Sequence, residues 1–230
     1  MKTFALLLIA LIGPTAQAQS FCASDGQRTP VALVERFTSA DCESCWSDSR
    51  TPPPALRSMV LDWVLPSTRG DEAPLSAAAT RDATDRLAAL RHVAPSKQDT
   101  VRTVVAKRPF RLRVAHGLPF NGYVGASIEL PLSEVRPVPA PVTGWLVLVE
   151  TIAAGTEGTP VERNLVRNVL QRPWGKHESL WKEERKRLFE SRPLGLGATT
   201  QPERLRVIGW VEDAQGRIVA AAQSRCAESP

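Results

Sequence analysis

Residues 31–46 have the sequence VALVERFTSADCESCW, and this stretch decides the predicted fold. Its first eight residues form a largely apolar run of strand length, a pattern typical of a strand buried on both faces in a parallel sheet. Ser39 and Asp41 then offer side chains that cap a helix. The segment predicts a strand, a short turn and the start of a helix, with Cys42 and Cys45 at the junction.

The two cysteines form a Cys-x-x-Cys pair whose position favours redox chemistry. At a helix start the first sulfur faces free N–H groups, which lowers the pKa of its thiol, and the thiolate is the nucleophile in thiol–disulfide exchange. We therefore predict that Cys42 attacks and Cys45 resolves. The negative charges of Asp41 and Glu43 oppose this lowering of the thiol pKa. We therefore expect the pair to have a reducing or intermediate redox potential and not a strongly oxidising one.

The same pair allows two other interpretations. It could be a static structural disulfide, or it could supply part of a zinc site. Zinc usually takes four ligands, and the chain has one Cys-x-x-Cys, because Cys22 and Cys226 stand alone. The histidines are also scattered without ligand spacing (His92, His116, His177). We therefore expect no metal and no cofactor.

The N-terminus has the three parts of a secretory signal. Lys2 supplies the positive start, residues 4–12 are apolar, and residues 16–18 form a small-x-small cleavage site. The apolar run is shorter than the roughly 20 residues needed to cross a bilayer. We predict a signal peptide over residues 1–18, a mature chain that begins near Gln19, and a periplasmic or secreted location.

Cysteine number agrees with export. The chain has 4 cysteines, an even number that allows complete pairing in three connectivities. Disulfides form and persist outside the cytosol. We expect Cys42 to pair with Cys45 as a local redox pair, and Cys22 to pair with Cys226 as a structural disulfide between the two ends of the chain.

The charge pattern does not favour nucleic acid as a partner. The formal net charge is +5, but the basic residues are spread along the chain without interleaved aromatic residues. The expected partner is an unknown protein or a small thiol or disulfide. No span of the membrane is expected once the signal is removed.

Secondary-structure patterns divide the chain into an α/β first third and a β-rich remainder. Residues 55–66 predict a short helix and then a strand, and residues 75–91 predict an Ala-rich helix. Apolar spacing predicts another helix over residues 161–172. Residues 205–223 predict a closing hairpin around Asp213-Ala-Gln-Gly216.

The stretch Val34-Glu-Arg-Phe-Thr-Ser39, followed by Cys42-Glu-Ser-Cys45, resembles a family of exported bacterial proteins catalogued as domain of unknown function 1223. Residues 164–167 (Asn-Leu-Val-Arg) and 209–223 are similar to two later stretches of that family. The resemblance implies α/β architecture: a trimmed thioredoxin-like part over residues 19–105 and a β-rich, mostly antiparallel part over residues 106–230. It implies no established substrate.

Two departures from the family pattern concern the site. Trp46 stands where the family has a proline after the second cysteine. Thioredoxin-like sites also place a cis proline opposite the cysteines, and Pro95 is the best positional match, ahead of Pro109 and Pro119. A cis bond is a structural property that sequence does not show. Pro95 is therefore a hypothesis for the third site residue.

These observations lead to two functions of different classes. The first is an exported thioredoxin-like protein that carries out thiol–disulfide exchange through Cys42 and Cys45. The alternative is a non-catalytic binding or structural protein of the cell envelope, in which both disulfides are static. Buried sulfurs would favour the alternative, and an exposed Cys42 beside a cis proline would favour exchange.

Overall fold

The computed structural model describes residues 22–132, 138, 140–175 and 186–226. These residues form twelve strands and two α-helices. The helices are α1 (Glu43–Trp46) and α2 (Arg81–Leu90). The strands are β1 (Cys22–Ala23), β2 (Ala32–Ser39), β3 (Ser58–Leu65), β4 (Gln98–Phe110), β5 (Arg113–His116), β6 (Tyr123–Pro131), β7 (Val142–Ile152), β8 (Arg163–Trp174), β9 (Arg187–Gly195), β10 (Leu205–Asp213), β11 (Ile218–Gln223) and β12 (Arg225–Cys226).

Seven strands close into a barrel in the order β10-β11-β4-β2-β3-β8-β7. β2 pairs in parallel with β3 and antiparallel with β4, so it lies between them. β7 pairs antiparallel with both β8 and β10, which closes the ring. Closure covers most of the strand edges, and its narrowest seam is between β3 and β8, which pair at Asp62 and Leu165.

The barrel interior contains a buried apolar core and one buried cation. All seven barrel strands and α2 contribute to this core, whose largest side chains include Trp63 and Trp210. Arg86 of α2 is 1% exposed and donates two hydrogen bonds of 2.8 Å to Glu35 and one of 2.8 Å to Glu212. Its guanidinium also lies over the rings of Trp145 and Trp210. A buried charge needs such partners, so α2 is locked against the barrel.

A second sheet packs against the outside of the barrel. It has five strands in the order β12-β1-β5-β6-β9. Apolar residues from this sheet and from β7, β10 and β11 form a separate core. The approach is close at Gly209, where an added Cβ would lie 2.6 Å from Cγ1 of Val114. Two layers therefore share the strands β7, β10 and β11.

The predicted fold class is wrong: the described residues are mostly β, and they contain no α/β thioredoxin-like part followed by a β-rich part. The parallel strands β2 and β3 do occur, but they are not covered by helices on both faces. Instead β2 pairs with β4, and β3 pairs with β8. As a result β2 and β3 are strands of a closed barrel that also includes the C-terminal strands. The proposed boundary at residue 105 falls inside β4. Residues 1–18, the predicted signal, lie outside the described residues.

Some of the predicted helices and strands are confirmed and others are wrong. The strand before the cysteines and the closing hairpin are confirmed as β2 and the pair β10–β11. The helix predicted over residues 161–172 is wrong, because β8 occupies it and pairs with β7 along its length. Residues 55–66 hold β3 without a preceding helix. The helix over residues 75–91 is shortened to α2, because the hydroxyl of Thr80 accepts from the backbone N–H of Asp82 and caps it there.

None of the described helices is long and apolar enough to cross a membrane.

Candidate functional site

The Cys42–Cys45 disulfide lies in the turn that follows β2. Its two Cα atoms are 5.3 Å apart. Cys42 is the N-cap residue of α1, and because this helix is a single turn its dipole is small. Cys42 is 7% exposed and Cys45 6% exposed. Any reaction partner must therefore approach sulfurs that are largely covered.

A buried arginine from a distant strand holds this turn from below. Arg163, 1% exposed, lies at the start of β8. Its Nη2 donates to the carbonyl oxygens of Trp46 at 2.9 Å and of Cys45 at 3.4 Å. Its Nε donates to the hydroxyl of Thr159 at 3.0 Å. The carbonyls at the end of α1, which lack partners within the helix, are thereby satisfied.

The charge of Arg163 is balanced by Asp62, which also binds a second arginine. Nη1 of Arg163 donates to Asp62 Oδ1 at 3.0 Å. From β2, Arg36 donates through Nη2 to Asp62 Oδ2 at 2.9 Å, and its Nε lies 2.9 Å from Oδ1. Burial lowers the pKa of the Arg36 guanidinium, against the raising effect of Asp62. Two guanidinium groups thus share the carboxylate of Asp62, and the negative charge of Glu162 also acts on Arg36.

Trp46 closes the outer side of the turn. Its Nε1 donates to the carbonyl oxygen of Glu157 at 2.9 Å, and the guanidinium of Arg163 lies 5.0 Å from the ring centroid. The ring belongs to a small apolar cluster with Ala40 and Leu165. A proline at position 46, as in the resembling family, could make none of the polar contacts. Trp46 is thus a local anchor of the cysteine turn.

A hydroxyl group lies beside the first sulfur. Oγ of Ser44 is 3.6 Å from Sγ of Cys42, within hydrogen-bonding reach for sulfur. A hydroxyl that donates to a thiolate stabilises it and lowers the pKa of the thiol. This contact distinguishes Cys42 from Cys45, whose main-chain carbonyl, rather than its sulfur, has the charged neighbour Arg163.

Two cavities flank the turn. One, of about 420 Å³, lies beside β2 and the start of β4, and its lining includes Arg36, Asp48, Arg50, Gln98 and Asp99. We call it the β2–β4 groove. The other, of about 450 Å³, lies over α1 and is lined by Glu43, Ser44, Trp46, Ser47, Leu75, Glu157 and Gly158. Cys42 and Cys45 line neither cavity.

Pro95, the third predicted site residue, lies in the loop before β4. This loop runs beside the end of β2, since the N–H of Ser39 donates to the carbonyl of Lys97 at 2.7 Å. In the described chain the cis peptide bond is Ala140–Pro141. The structure thus brings the Pro95 loop to the same end of the barrel as the cysteines, without a cis bond at Pro95.

The other two cysteines, Cys22 and Cys226, also form the disulfide that was predicted for them. The Cys22–Cys226 disulfide spans 204 residues of sequence and joins the short strands β1 and β12, in which the two residues are direct neighbours. His116 is the neighbour of Cys22 on the other side, in β5. Burial lowers the pKa of His116, partly offset by the hydrogen bond between its ring and the carbonyl of Gly117.

Sequence reasoning missed the side chains that support both disulfides. Arg36 lies beside Glu35 in the mainly apolar strand β2, and Asp62 is the one charged residue of β3. A charge inside a buried strand is a signal that a buried partner exists. Nothing in the sequence indicates which partner. Arg163 and His116 carried no signal at all, because their roles depend on strands that meet only in the folded chain.

Comparison with known proteins identifies neither a family nor a function. No family model matches the chain, and no curated protein matches it. A solved structure with some likeness is HBP35 of Porphyromonas gingivalis, at 9% sequence identity and a TM-score of 0.49. The likeness covers 86% of this chain and 76% of that chain. At these values it supports no conclusion about fold or chemistry.

Proposed function

We propose that this chain is an exported protein that carries out thiol–disulfide exchange through Cys42 and Cys45, as a member of the family it resembles. Cys42 is the attacking sulfur and Cys45 the resolving one. The substrate is the disulfide or dithiol of a protein, or of a small thiol, that reaches the turn after β2. One observation carries this proposal: Arg163 holds the turn independently of the disulfide.

A redox pair must keep its shape in both oxidation states. Arg163 donates hydrogen bonds to the carbonyls of Cys45 and Trp46 in the turn. It also donates to Thr159 and Asp62 outside the turn, which makes four bonds in this set. All four acceptors are oxygens that remain when the S–S bond is broken. The two thiols are therefore expected to stay adjacent after reduction and to close again without refolding.

The size of the ring also favours a redox role over a structural one. In the chain-entropy model a disulfide stabilises a protein more when it closes a longer loop. Cys42 and Cys45 are 3 residues apart, whereas Cys22 and Cys226 are 204 apart. The long connection is the efficient structural disulfide, and the local one adds little constraint to the unfolded chain.

The hydroxyl of Ser44 supports Cys42 as the attacking sulfur, since its Oγ lies 3.6 Å from Sγ of Cys42. A hydroxyl that donates to a thiolate stabilises it relative to the thiol. In an exchange step the Cys42 thiolate bonds to one sulfur of the substrate disulfide and releases the other as a thiolate. Cys45 then attacks Cys42, which restores the disulfide and releases the reduced substrate.

The second candidate is a non-catalytic binding or structural protein of the envelope. The specific observation in its favour is burial, since Cys42 and Cys45 are 7% and 6% exposed. In that case both disulfides are static, and a partner would bind elsewhere, for example in the β2–β4 groove.

A redox titration decides between the two candidates. The untagged chain is equilibrated in glutathione or dithiothreitol buffers of graded potential, and its free thiols are alkylated and mapped by mass spectrometry. Exchange requires that Cys42 and Cys45 titrate reversibly at a higher potential than Cys22 and Cys226, with the circular dichroism unchanged. If both disulfides resist reduction until the chain unfolds, the exchange function is wrong.

Matched variants test the assignment of roles. Cys42→Ser is expected to abolish reduction of a model protein disulfide, whereas Cys45→Ser should trap a mixed disulfide through Cys42. The Cys22→Ala/Cys226→Ala variant is the control, because it removes the other disulfide and leaves the proposed pair intact. Full activity in Cys42→Ser would exclude the mechanism.

A further inference from the structure

The Cys22–Cys226 disulfide has a third member that its structural role does not require. Cys22, His116 and Cys226 stand side by side on three neighbouring strands, β12, β1 and β5. Directly paired residues project to the same face of a sheet. One potential ligand atom from each residue lies within 4.8 Å of the others.

His116 is buried with one ring nitrogen unused. The residue is 4% exposed. Nδ1 lies 3.0 Å from the carbonyl oxygen of Gly117, which can only accept, so Nδ1 carries the proton. In the neutral ring Nε2 then carries a lone pair, and this atom is buried without a hydrogen-bond partner. A buried acceptor left unsatisfied costs free energy, so such atoms in folded proteins call for a ligand or a specific role.

We propose that reduction of the Cys22–Cys226 bond opens a metal site in which two thiolates and Nε2 of His116 bind one Zn²⁺ ion. Thiolate and imidazole are the ligands that zinc prefers. The hydrogen bond from Nδ1 to a backbone carbonyl is the usual outer contact of a zinc-bound histidine, which fixes the tautomer and the ring orientation.

The three residues come close to the ligand spacing of a zinc site once the sulfurs separate. With Zn–S of about 2.3 Å and Zn–N of about 2.0 Å, a tetrahedral site separates its ligand atoms by about 3.5–3.8 Å. The two sulfurs and a ring nitrogen of His116 now lie within 4.8 Å of one another, and the sulfurs are free to move apart once the bond between them is broken. Three protein ligands leave the fourth position for water or an added ligand. Cys226 is half-buried, which gives the ion a route of entry.

Hydrogen bonds hold both short strands in place without the disulfide. On the β1 side, the N–H of Ser24 donates to the carbonyl of Val114 at 2.9 Å, and the N–H of Val114 donates to the hydroxyl of Ser24 at 3.0 Å. On the β12 side, the N–H of Ser224 donates to the carbonyl of Val207 at 2.8 Å, and the N–H of Val207 donates to the hydroxyl of Ser224 at 2.9 Å. The three ligands therefore remain together when the bond is reduced.

The reaction balances with a dithiol as reductant. The dithiol gives two electrons and two protons to the sulfurs of Cys22 and Cys226 and becomes a cyclic disulfide. Zn²⁺ then displaces the two thiol protons and binds the two thiolates and the neutral imidazole. In the reverse step a disulfide oxidant such as oxidised glutathione takes the two electrons and leaves as two thiolates, which restores the Cys22–Cys226 bond and releases the ion. Metal binding therefore depends on redox state.

Cobalt titration tests the site directly. The experiment uses the untagged Cys42→Ser/Cys45→Ser chain, in which the other pair of thiols is absent. It is reduced with a dithiol, freed of reductant without air, and titrated with Co²⁺. We expect thiolate-to-cobalt absorption and tetrahedral d–d bands that saturate at one equivalent and disappear when Zn²⁺ is added. The oxidised chain should show neither. Absence of these bands in the reduced chain would overturn the proposal.

Two histidine variants identify the third ligand. His116→Gln should weaken Co²⁺ binding by about tenfold or more. His92→Gln, at an exposed histidine that is not part of the cluster, should bind like the parent. Equal affinity in His116→Gln overturns the assignment of His116. If reduction loosens the fold, Zn²⁺ should restore the circular dichroism and raise Tm, because an ion that binds only the folded chain stabilises it. A reduced chain that stays unfolded in Zn²⁺ would also count against the site. None of these outcomes depends on the exchange activity of Cys42.

Discussion

Arg163 donates a hydrogen bond from Nη2 to the carbonyl oxygen of Trp46 at 2.9 Å, across 117 residues of sequence. This contact joins the start of β8 to the turn that holds Cys42 and Cys45. Both partners are buried, so the hydrogen bond is protected from water. The proposed redox turn is therefore part of the barrel wall, and its stability depends on residues distant in sequence.

We expect Arg163→Met to lower the free energy of unfolding by about 2–4 kcal/mol, because it removes a buried cation from Asp62 and leaves the carbonyls of Cys45 and Trp46 unpaired. Urea denaturation followed by tryptophan fluorescence measures the loss. Arg50→Met is the matched control, because Arg50 pairs with Asp48 on the surface, and it should leave the midpoint unchanged. An equal loss in both variants would contradict the role of Arg163.

We expect Trp46→Phe to speed the reduction of Cys42–Cys45 by dithiothreitol, because the turn loses the hydrogen bond from Nε1 to Glu157. The free energy of unfolding should fall by about 1 kcal/mol. The rate of reduction at each disulfide is measured by alkylating the freed thiols at successive times and mapping them by mass spectrometry. The rate at Cys22–Cys226 is the internal control and should not change.

The two disulfides should differ in their contribution to stability. Cys22→Ala/Cys226→Ala is expected to lower the free energy of unfolding by about 2–5 kcal/mol, and Cys42→Ala/Cys45→Ala by about 2 kcal/mol or less, since the first bond closes a far longer loop. Thermal and urea denaturation of the two variants without reductant make the comparison. A larger loss for the local pair would instead indicate that the Cys42–Cys45 bond is the structural one.

Asp213 should make stability depend on pH. Although burial opposes it, hydrogen bonds from the backbone and side chain of Arg217 and from the N–H of Gln215 lower the pKa of Asp213. Because the folded-state pKa lies below the unfolded value, the unfolded chain binds more protons near that pH. The contribution is then complete above the ordinary aspartate value of about 4 and is lost as the pH falls through the folded value.

Asp213→Asn tests this prediction. The variant should be less stable than the parent by about 1–2 kcal/mol at pH 7, and the difference should shrink as the pH is lowered below about 4. Urea midpoints at a series of pH values measure it. A difference that is constant with pH would show that the charge of Asp213 is irrelevant.

The contact between the outer sheet and the barrel depends on a missing side chain. Gly209→Ala would place a Cβ 2.6 Å from Cγ1 of Val114 and 3.2 Å from the carbonyl oxygen of Trp145. We expect a loss of about 1–3 kcal/mol from this overpacking. Gly125→Ala, in β6, meets no atom within 4 Å and should be close to neutral. Denaturation midpoints of the two variants provide the test.

Local patterns predicted several strands but not their arrangement. β2, β3 and the hairpin β10–β11 were identifiable because runs of apolar residues and a turn with Gly216 are local properties. The failure at β8 has a physical cause: the spacing of Leu165, Val166, Val169 and Leu170 also suits a helix, and only pairing with β7 selects the strand. Tertiary contacts override such weak preferences.

By itself, the sequence determined where a buried strand meets the Cys42–Cys45 pair and that the chain has the cysteines for two disulfides. The tertiary structure alone decided that β2 and β3 join a closed barrel, that Arg163 and Asp62 support the cysteine turn, and that His116 faces the Cys22–Cys226 bond. The reason is that apolar periodicity acts over a few residues, whereas strand partners and buried charge pairs are selected by register and packing across more than a hundred residues.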